Sequence, residues 1–355
     1  MSRNALVQID VINTALSLTT RPFDSVLLLS KTKDINNGAD NLPIYITSAN
    51  DLLSKGVLAT DDEYLYARDF FGASPKPDKL MVYGVASGTY ADMLAYLDLK
   101  VPKTWFYTLI ADGTATGLAD AKAGIAALKN RYVWLTQSPA GATPSDIITN
   151  VKGIKDKYGF FVAANVAEKQ VANLVATRSR FFPGSVVFSS TLLSGMLGSN
   201  YDDTEKNMLI GPSNLSETGI NICTVEDQMP IIYYGKAMDG ITWFDYVLAE
   251  IAIDEYMRVG LTKFFVTENT KGNKFAANDV GAARIVERGK SILRDFANRN
   301  IIYPEDAKGV DGERLFSVEV ASIVNREVEI VYQVYFQGAI IKGKVEIKMD
   351  SIGGN

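Results

Sequence analysis

From Arg326 to Met349 the chain reads REVEIVYQVYFQGAIIKGKVEIKM. Val328, Ile330, Tyr332, Val334 and Phe336 share one parity, with Glu327, Glu329 and Gln333 on the other. After Gly338 the phase changes: Ile341, Val345, Ile347 and Met349 are apolar, while Lys342, Lys344, Glu346 and Lys348 are polar. Apolar residues at every second position line one face of a strand, so this stretch predicts two strands with a glycine-marked break between them. A chain that ends on such a strand presents a row of unpaired N–H and C=O groups, and that edge needs a cover. The opposite end is similar in kind. Val7, Ile9 and Val11 alternate with Gln8 and Asp10, and after a slip near Asn13–Thr14, Leu16 and Leu18 flank Ser17. Two readings stand for this N-terminal stretch: the first strand of a local sheet, or an arm that pairs elsewhere.

Between the two ends a second pattern runs. Short apolar segments at Val26–Leu29, Leu80–Val85, Trp105–Ile110, Tyr132–Thr136, Phe160–Ala164 and Ser185–Phe188 predict strands. Helical periodicity separates them, over Ser48–Phe71 with a break near Gly56–Thr60, and over Tyr90–Leu99, Leu118–Lys129, Ser145–Lys157 and Ala167–Ser179. Ser145 reads as an N-cap. Alternation of this kind predicts a parallel α/β sheet with helices on its faces. The polar stretch Tyr201–Lys206 reads as a boundary. Beyond it, Gly219–Val225 and Pro230–Gly235 predict short strands, and Phe244–Val259 a helix stopped by Gly260. A loop over Gly272–Asn278 and a helix capped by Asp279 and ending near Arg299 lead to terminal strands that start near Phe316.

Composition narrows the chemistry. The 355 residues contain no histidine, which removes histidine-based triads, His-ligated zinc and the usual near-neutral proton shuttle. One cysteine, Cys223, permits no intrachain disulfide and fits a reducing compartment of synthesis. A net charge of −5 argues against direct nucleic-acid binding, because counterion release needs a basic face. No apolar run is long enough for membrane insertion, and the N-terminus lacks a signal-peptide core.

Candidate ligand motifs are weak. Gly84-Val85-Ala86-Ser87-Gly88 and Asp112-Gly113 with Gly117 lie at strand ends but do not form a dinucleotide fingerprint. Gly289-Lys290-Ser291 has Arg284 where a phosphate-binding loop needs its first glycine. The acidic pairs Asp61–Asp62, Asp202–Asp203 and Glu226–Asp227 are adjacent residues, and adjacency does not bring carboxylates together on a metal or a substrate. Cys223 and the tryptophans Trp105, Trp134 and Trp243 read as packing residues. The expectation is no catalytic residue, no cofactor and no metal.

Four passages carry a resemblance. Phe70-Phe71-Gly72-Ala73-Ser74-Pro75-Lys76-Pro77 precedes the strand Leu80–Val85; Gly219-Ile220-Asn221 is followed by Gly240-Ile241 and Phe244-Asp245; Lys274-Phe275-Ala276-Ala277-Asn278-Asp279-Val280-Gly281 follows; and Gly338-Ala339-Ile340-Ile341 sits in the terminal strands. In this order, over about Phe70 to Met349, they resemble the contractile-tail sheath proteins of myophages and phage-tail-like particles. The chain departs from that pattern in two places. Ala276-Ala277-Asn278 stands where the family has Pro-Tyr-Thr, and Ile341 where it often has histidine.

The resemblance implies a homo-oligomer of stacked rings in a helical lattice around a tail tube protein, bounded by baseplate and tail terminator proteins. The particle would be a virion tail or phage-tail-like assembly built in the bacterial host cytoplasm, and contraction would drive the tube through the target cell envelope. Subunits would be linked by strand exchange, with Val7, Ile9 and Val11 in an N-terminal arm, and Ile341, Val345 and Ile347 in a C-terminal arm. Val328, Ile330, Tyr332 and Val334 would form the receiving strand. The expected division is an arm over 1–24, an α/β domain over 25–200, an α+β sheath core over 201–325, and C-terminal strands with a linker arm over 326–355. Two other readings compete: an α/β enzyme or binding protein for a small nucleotide or sugar ligand, and a tail-terminator or baseplate component.

Overall fold

A computed structural model describes residues 7–8, 21–38, 40–129, 131–211, 219–226, 228–271, 278–309, 312–324, 327–337 and 345–349. The chain divides into two compact units. One spans Arg21–Leu248; the other joins β1 (Val7–Gln8) to the residues from Ala249 onward.

The first unit holds β2 (Val26–Ser30), β3 (Ile44–Ile46), β4 (Leu80–Gly84), β5 (Tyr107–Ile110), β6 (Val133–Gln137), β7 (Gly159–Ala163), β8 (Ile220–Glu226) and β9 (Met229–Tyr233). They form one sheet in the order β3–β4–β2–β5–β6–β7–β8–β9. The six inner strands run parallel, and β3 and β9 close the edges antiparallel. Every residue of β2, β4, β5, β6 and β7 is buried, which is why these strands read as unbroken apolar runs instead of alternating ones. The helices are α1 (Asp62–Phe71), α2 (Tyr90–Lys100), α3 (Ala115–Ala127), α4 (Pro144–Lys152), α5 (Gln170–Arg178) and α6 (Asp203–Ile210), with a 3-10 helix at Ala49–Lys55. Leu27, Leu29, Met81 and Tyr83 pack in one cluster with apolar residues of α2, α3, α4 and α6.

Local chemistry explains where these helices start. The hydroxyls of Thr89, Thr114 and Thr143 accept the N–H groups of Asp92, Gly117 and Asp146 at three helix N-termini. The cap of α4 is therefore Thr143, with Pro144 at the first helical position, and not Ser145. Asp202 and Glu205 form a reciprocal capping box, so Tyr201–Lys206 opens α6 and is no boundary. After α6 the chain returns to the sheet, where Ile220 of β8 pairs with Phe161 of β7. The division expected at residue 200 thus falls inside the first unit. Ser185–Phe188 is not a strand; of its apolar residues Val187 is exposed, while Phe188 plugs a loop into the core against Phe160 and Phe244 at 5.4 and 5.1 Å.

The second unit contains most of α7 (Phe244–Thr270), with α8 (Asp279–Ala297), β10 (Phe316–Val324), β11 (Glu327–Val334) and β12 (Val345–Met349). Helix α7 does not stop at Gly260. At this position a Cβ would lie 2.5 Å from Cδ1 of Ile292, so the glycine admits α8 to close contact. Asn278, not Asp279, caps α8 by accepting the Gly281 N–H. The apolar stripe of α8 runs through Ile285, Gly289, Ile292, Leu293 and Phe296, all buried.

Candidate functional site

The terminal strands form a four-stranded sheet in the order β1–β12–β11–β10. Strands β10 and β11 are an antiparallel hairpin that pairs Phe316 with Val334, Val318 with Tyr332 and Val320 with Ile330, and the register shifts between Val320 and Ser322. Ile330, Tyr332 and Val334 are buried with Phe316 and Val318, and Val328 is half-buried. Period-two reading of β11 therefore identified its inward face. Burial, with the Asp254 and Glu250 carboxylates adding to it, pushes the Tyr332 phenol well above its ordinary value. The hairpin is held at its base. The Tyr335 N–H donates to the Leu315 carbonyl at 3.0 Å, and the Gln337 N–H to the Ile301 carbonyl at 3.1 Å.

Strand β12 lies antiparallel on β11, with Val345 opposite Tyr332, Ile347 opposite Ile330 and Met349 opposite Val328. Strand β1 then pairs parallel with β12, Val7 opposite Ile347 and Gln8 opposite Lys348. The expected donor residues Val7, Val345 and Ile347 are thus in the sheet with the expected receiving strand. Ile9, Val11 and Ile341 lie outside the described residues, as do Leu16, Leu18, Asp227, the 272–277 stretch and the Gly338–Ile341 motif. In the single chain the cover over β11 comes from the same molecule. Main-chain pairing of this kind depends on register and not on which copy supplies the strand.

A ligand site in the first unit has to be weighed against this sheet. The order β4–β2–β5 reverses direction between β2 and β5, and in α/β sheets ligands bind outside the carboxyl ends of strands at such a switch. Here that position is filled by protein. Lys31 pairs with Asp112 at 2.6 Å and Lys33 with Asp61 at 3.0 Å. Burial opposes ionisation of Asp112, but Lys31 and the Thr114 donors outweigh it and hold the carboxyl below its ordinary value. Glu63, 2% exposed, accepts the hydroxyls of Ser30 and Thr32, which ties the first turn of α1 to the end of β2. Lys169 pairs with Asp62 at 2.6 Å, and its N–H donates to Asp69 at 2.6 Å.

The other motifs are structural too. A Cβ on Gly113 would fall 2.0 Å from the Gln137 carbonyl oxygen, so this glycine serves strand packing. Gly289-Lys290-Ser291 lies within α8, with Lys290 paired to Glu305 at 2.7 Å. Cys223 is buried, and burial pushes its thiol up to about 12. Among the described residues no carboxylate or cysteine cluster could hold a metal ion, and no helix is long and apolar enough to cross a membrane. The ion-paired cluster at the switch was missed in the sequence. Its signal is the lysine-rich Ser30–Asp34 run directly after a strand, and its acidic partners lie far along the chain.

No family model and no curated protein matches the sequence. Solved structures do match the fold. A chain of the helical sheath of the anti-feeding prophage (AFP) in its contracted state aligns over 100% of this chain and 98% of its own length, with a TM-score of 0.58 at 13% identity. A chain of the six-fold symmetrised AFP baseplate aligns over 99% and 96%, with a TM-score of 0.56 at 13% identity. The sheath tail protein Lin1278 from Listeria innocua aligns over 93% and 96%, with a TM-score of 0.51 at 10% identity. The fold, a mostly parallel sheet with flanking helices and a separate small terminal sheet, is shared with these proteins.

Proposed function

We propose that the chain is the structural subunit of a contractile tail sheath, which polymerises as stacked rings around a tail tube and drives it through a target cell envelope. The observation that carries this reading is the agreement in fold with a contracted sheath chain over essentially the whole length of both. In this reading the chain is not an enzyme. The switch-point crevice that a nucleotide or sugar would use is occupied by Lys31, Asp112 and Glu63.

The terminal sheet supplies the mechanism. Gln8 and Arg21 are 13 positions apart and Gln337 and Val345 are 8 apart, so their extended connections reach at most about 47 Å and about 29 Å. A strand on such a tether can cover its own hairpin or that of a neighbour. The hydrogen bonds are the same in both cases, so exchange between copies costs little. Val7, Ile9 and Val11 would then be N-terminal donors and Ile341, Val345 and Ile347 C-terminal donors. Val328, Ile330, Tyr332 and Val334 would form the strand that receives the C-terminal donors, and the N-terminal donors would add outside them, along β12. Strand pairing of this kind keeps neighbours joined while the rigid bodies rotate. The tube, baseplate and terminator proteins are the further partners, in a particle assembled in the host cytoplasm.

Negative-stain imaging of the purified full-length chain, beside one lacking Met1–Asn13, tests this. Tubes or ring stacks are expected from the first and small species from the second. A discrete monomer or dimer from the full-length chain removes the sheath reading, and normal tubes from the truncated chain remove strand exchange. The match to an AFP baseplate chain favours one second reading, a baseplate or terminator component, for which finite rings replace open tubes.

A further inference from the structure

The end of the parallel sheet opposite the filled switch point is open. A cleft of about 620 Å³ lies at the amino-terminal ends of β2, β4 and β5. Lys76, Lys79, Lys103 and Arg180 line it, against two carboxylates, Asp24 and Asp78. Its exposed apolar surface comes from Pro22, Tyr45 and Pro75, with Val26, Phe70 and Met81 buried beneath. Among the described residues no carboxylate pairs with Lys76, Lys79 or Arg180. These exposed cations rest on aromatic faces: Lys76 over Phe71 at 5.4 Å, Lys79 over Tyr45 at 5.1 Å and Arg180 over Phe181 at 5.3 Å. Arg180 also donates to the Ser74 carbonyl at 3.5 Å. A cationic rim over an apolar floor selects a partner surface that combines carboxylates with an apolar side chain.

We propose that the cleft receives a second copy of this chain, through the ridge from Leu197 to Asp203. Charge complementarity favours a copy of the same chain: the molecule carries −5 overall while this cleft carries an excess of cations, so the acidic balance lies elsewhere on its surface. The ridge has the matching chemistry. Residues 197–202 are neither helix nor strand, Leu197 is 63% exposed, and the Asp203 side chain is 98% exposed and pairs with Lys206 at 3.7 Å. Cleft and ridge are different patches, so the contact is head-to-tail, and contacts of that type repeat into rings or helices. The proposal deepens the sheath reading and rests on it, because it assigns one of the lateral contacts of the lattice.

Two full-length variants, Lys79→Cys and Asp203→Cys, are mixed under mild oxidation and resolved on a non-reducing gel; the native Cys223 is buried and stays silent. The expected result is a disulfide-linked heterodimer of the two variants in roughly ten-fold excess over either homodimer, reflecting opposite-charge docking. The triple reversal Lys76→Glu/Lys79→Glu/Arg180→Glu, on exposed side chains, is expected to raise the critical concentration for polymerisation and flatten its salt dependence. A statistical mixture of the three dimers overturns the proposal, as does a triple variant that polymerises like the wild type. Negative-stain images of the wild type judge the sheath reading separately: tubes with statistical cross-linking remove only the cleft contact, and selective cross-linking without tubes removes only the sheath.

Discussion

Asn221 donates from Nδ2 to the carbonyls of Phe161, Gly219 and Lys236, and its Oδ1 accepts the N–H groups of Gly235 and Lys236 at 2.8 and 2.9 Å. The side chain is buried, so no water can replace it. Beside it Gly219 sits at φ +58°, where a Cβ would fall 1.8 Å from the Ala237 oxygen. The Gly-Ile-Asn passage is thus a polar knot that fixes the return of the chain after β9. Truncation to Asn221→Ala strands several buried donors and acceptors, each worth about 1–3 kcal/mol. Urea unfolding of the full-length chain should show a loss of about 3 kcal/mol or more, and a loss below about 1 kcal/mol would rule the knot out. Asp245 behaves differently. Burial raises its pKa from 3.8 to about 6. Below 3.8 the group is protonated in both folded and unfolded chains and costs nothing. As pH rises from 3.8 through about 6 the unfolded chain ionises first, and stability falls by up to about 3 kcal/mol. Asp245→Asn should therefore melt higher than the wild type at pH 7.5 and not at pH 4. Equal differences at both pH values would mean that the carboxyl is not the cause.

The helices and strands carry the same argument one scale up. Helix α8 packs on β10 through Gly289, where a Cβ would lie 2.9 Å from Cγ1 of Val318 and 3.4 Å from Met257. Gly289→Leu overfills this contact beneath the receiving hairpin, and a stability loss of about 1–3 kcal/mol is expected in thermal or urea unfolding. A neutral result would show that α8 can withdraw without cost. Thr143→Ala removes the α4 cap and should cost about 1 kcal/mol, while Ser145→Ala should cost far less. Periodicity made the buried strands and most helices legible, because a strand covered on both faces must be apolar throughout and a helix packed on one side must repeat its stripe. The inward face of β11 was legible for the same reason. Periodicity does not see tertiary contact. Gly260 reads as a stop until Ile292 is known to need its missing side chain, and Ser185–Phe188 reads as a strand because Val186 and Val187 precede Phe188, although the structure is a loop that delivers Phe188 to the core. The ion-paired cluster at the switch point, and the cations around the cleft, were equally out of reach. Their partners are separated along the chain and are joined only by the sheet order.

At the scale of the molecule, one sheet serves two states under the proposed function. In the single chain β12 covers β11, and β1 covers β12, so the edge that would join subunits is satisfied internally. Polymerisation then requires these strands to leave and be replaced by their counterparts from neighbours. The exchange is nearly balanced in hydrogen bonds but passes through an opened edge. A covalent lock distinguishes the two states. Val331 faces Glu346 across β11 and β12, and directly paired antiparallel residues have Cα atoms about 4.5–5.5 Å apart, inside the range a disulfide spans. The chain's one native cysteine is buried, so the double variant Val331→Cys/Glu346→Cys adds a clean pair. Oxidised as a dilute monomer, it should form an internal disulfide and yield no tubes, and a reductant should restore them. Oxidised after assembly, it should give covalent ladders between copies on a non-reducing gel. Tubes that grow unimpeded from the locked monomer, or oxidised tubes that run only as single chains, would mean that β12 never changes partner. The C-terminal strand would then be a fixed part of its own subunit, and the link between subunits would have to lie elsewhere.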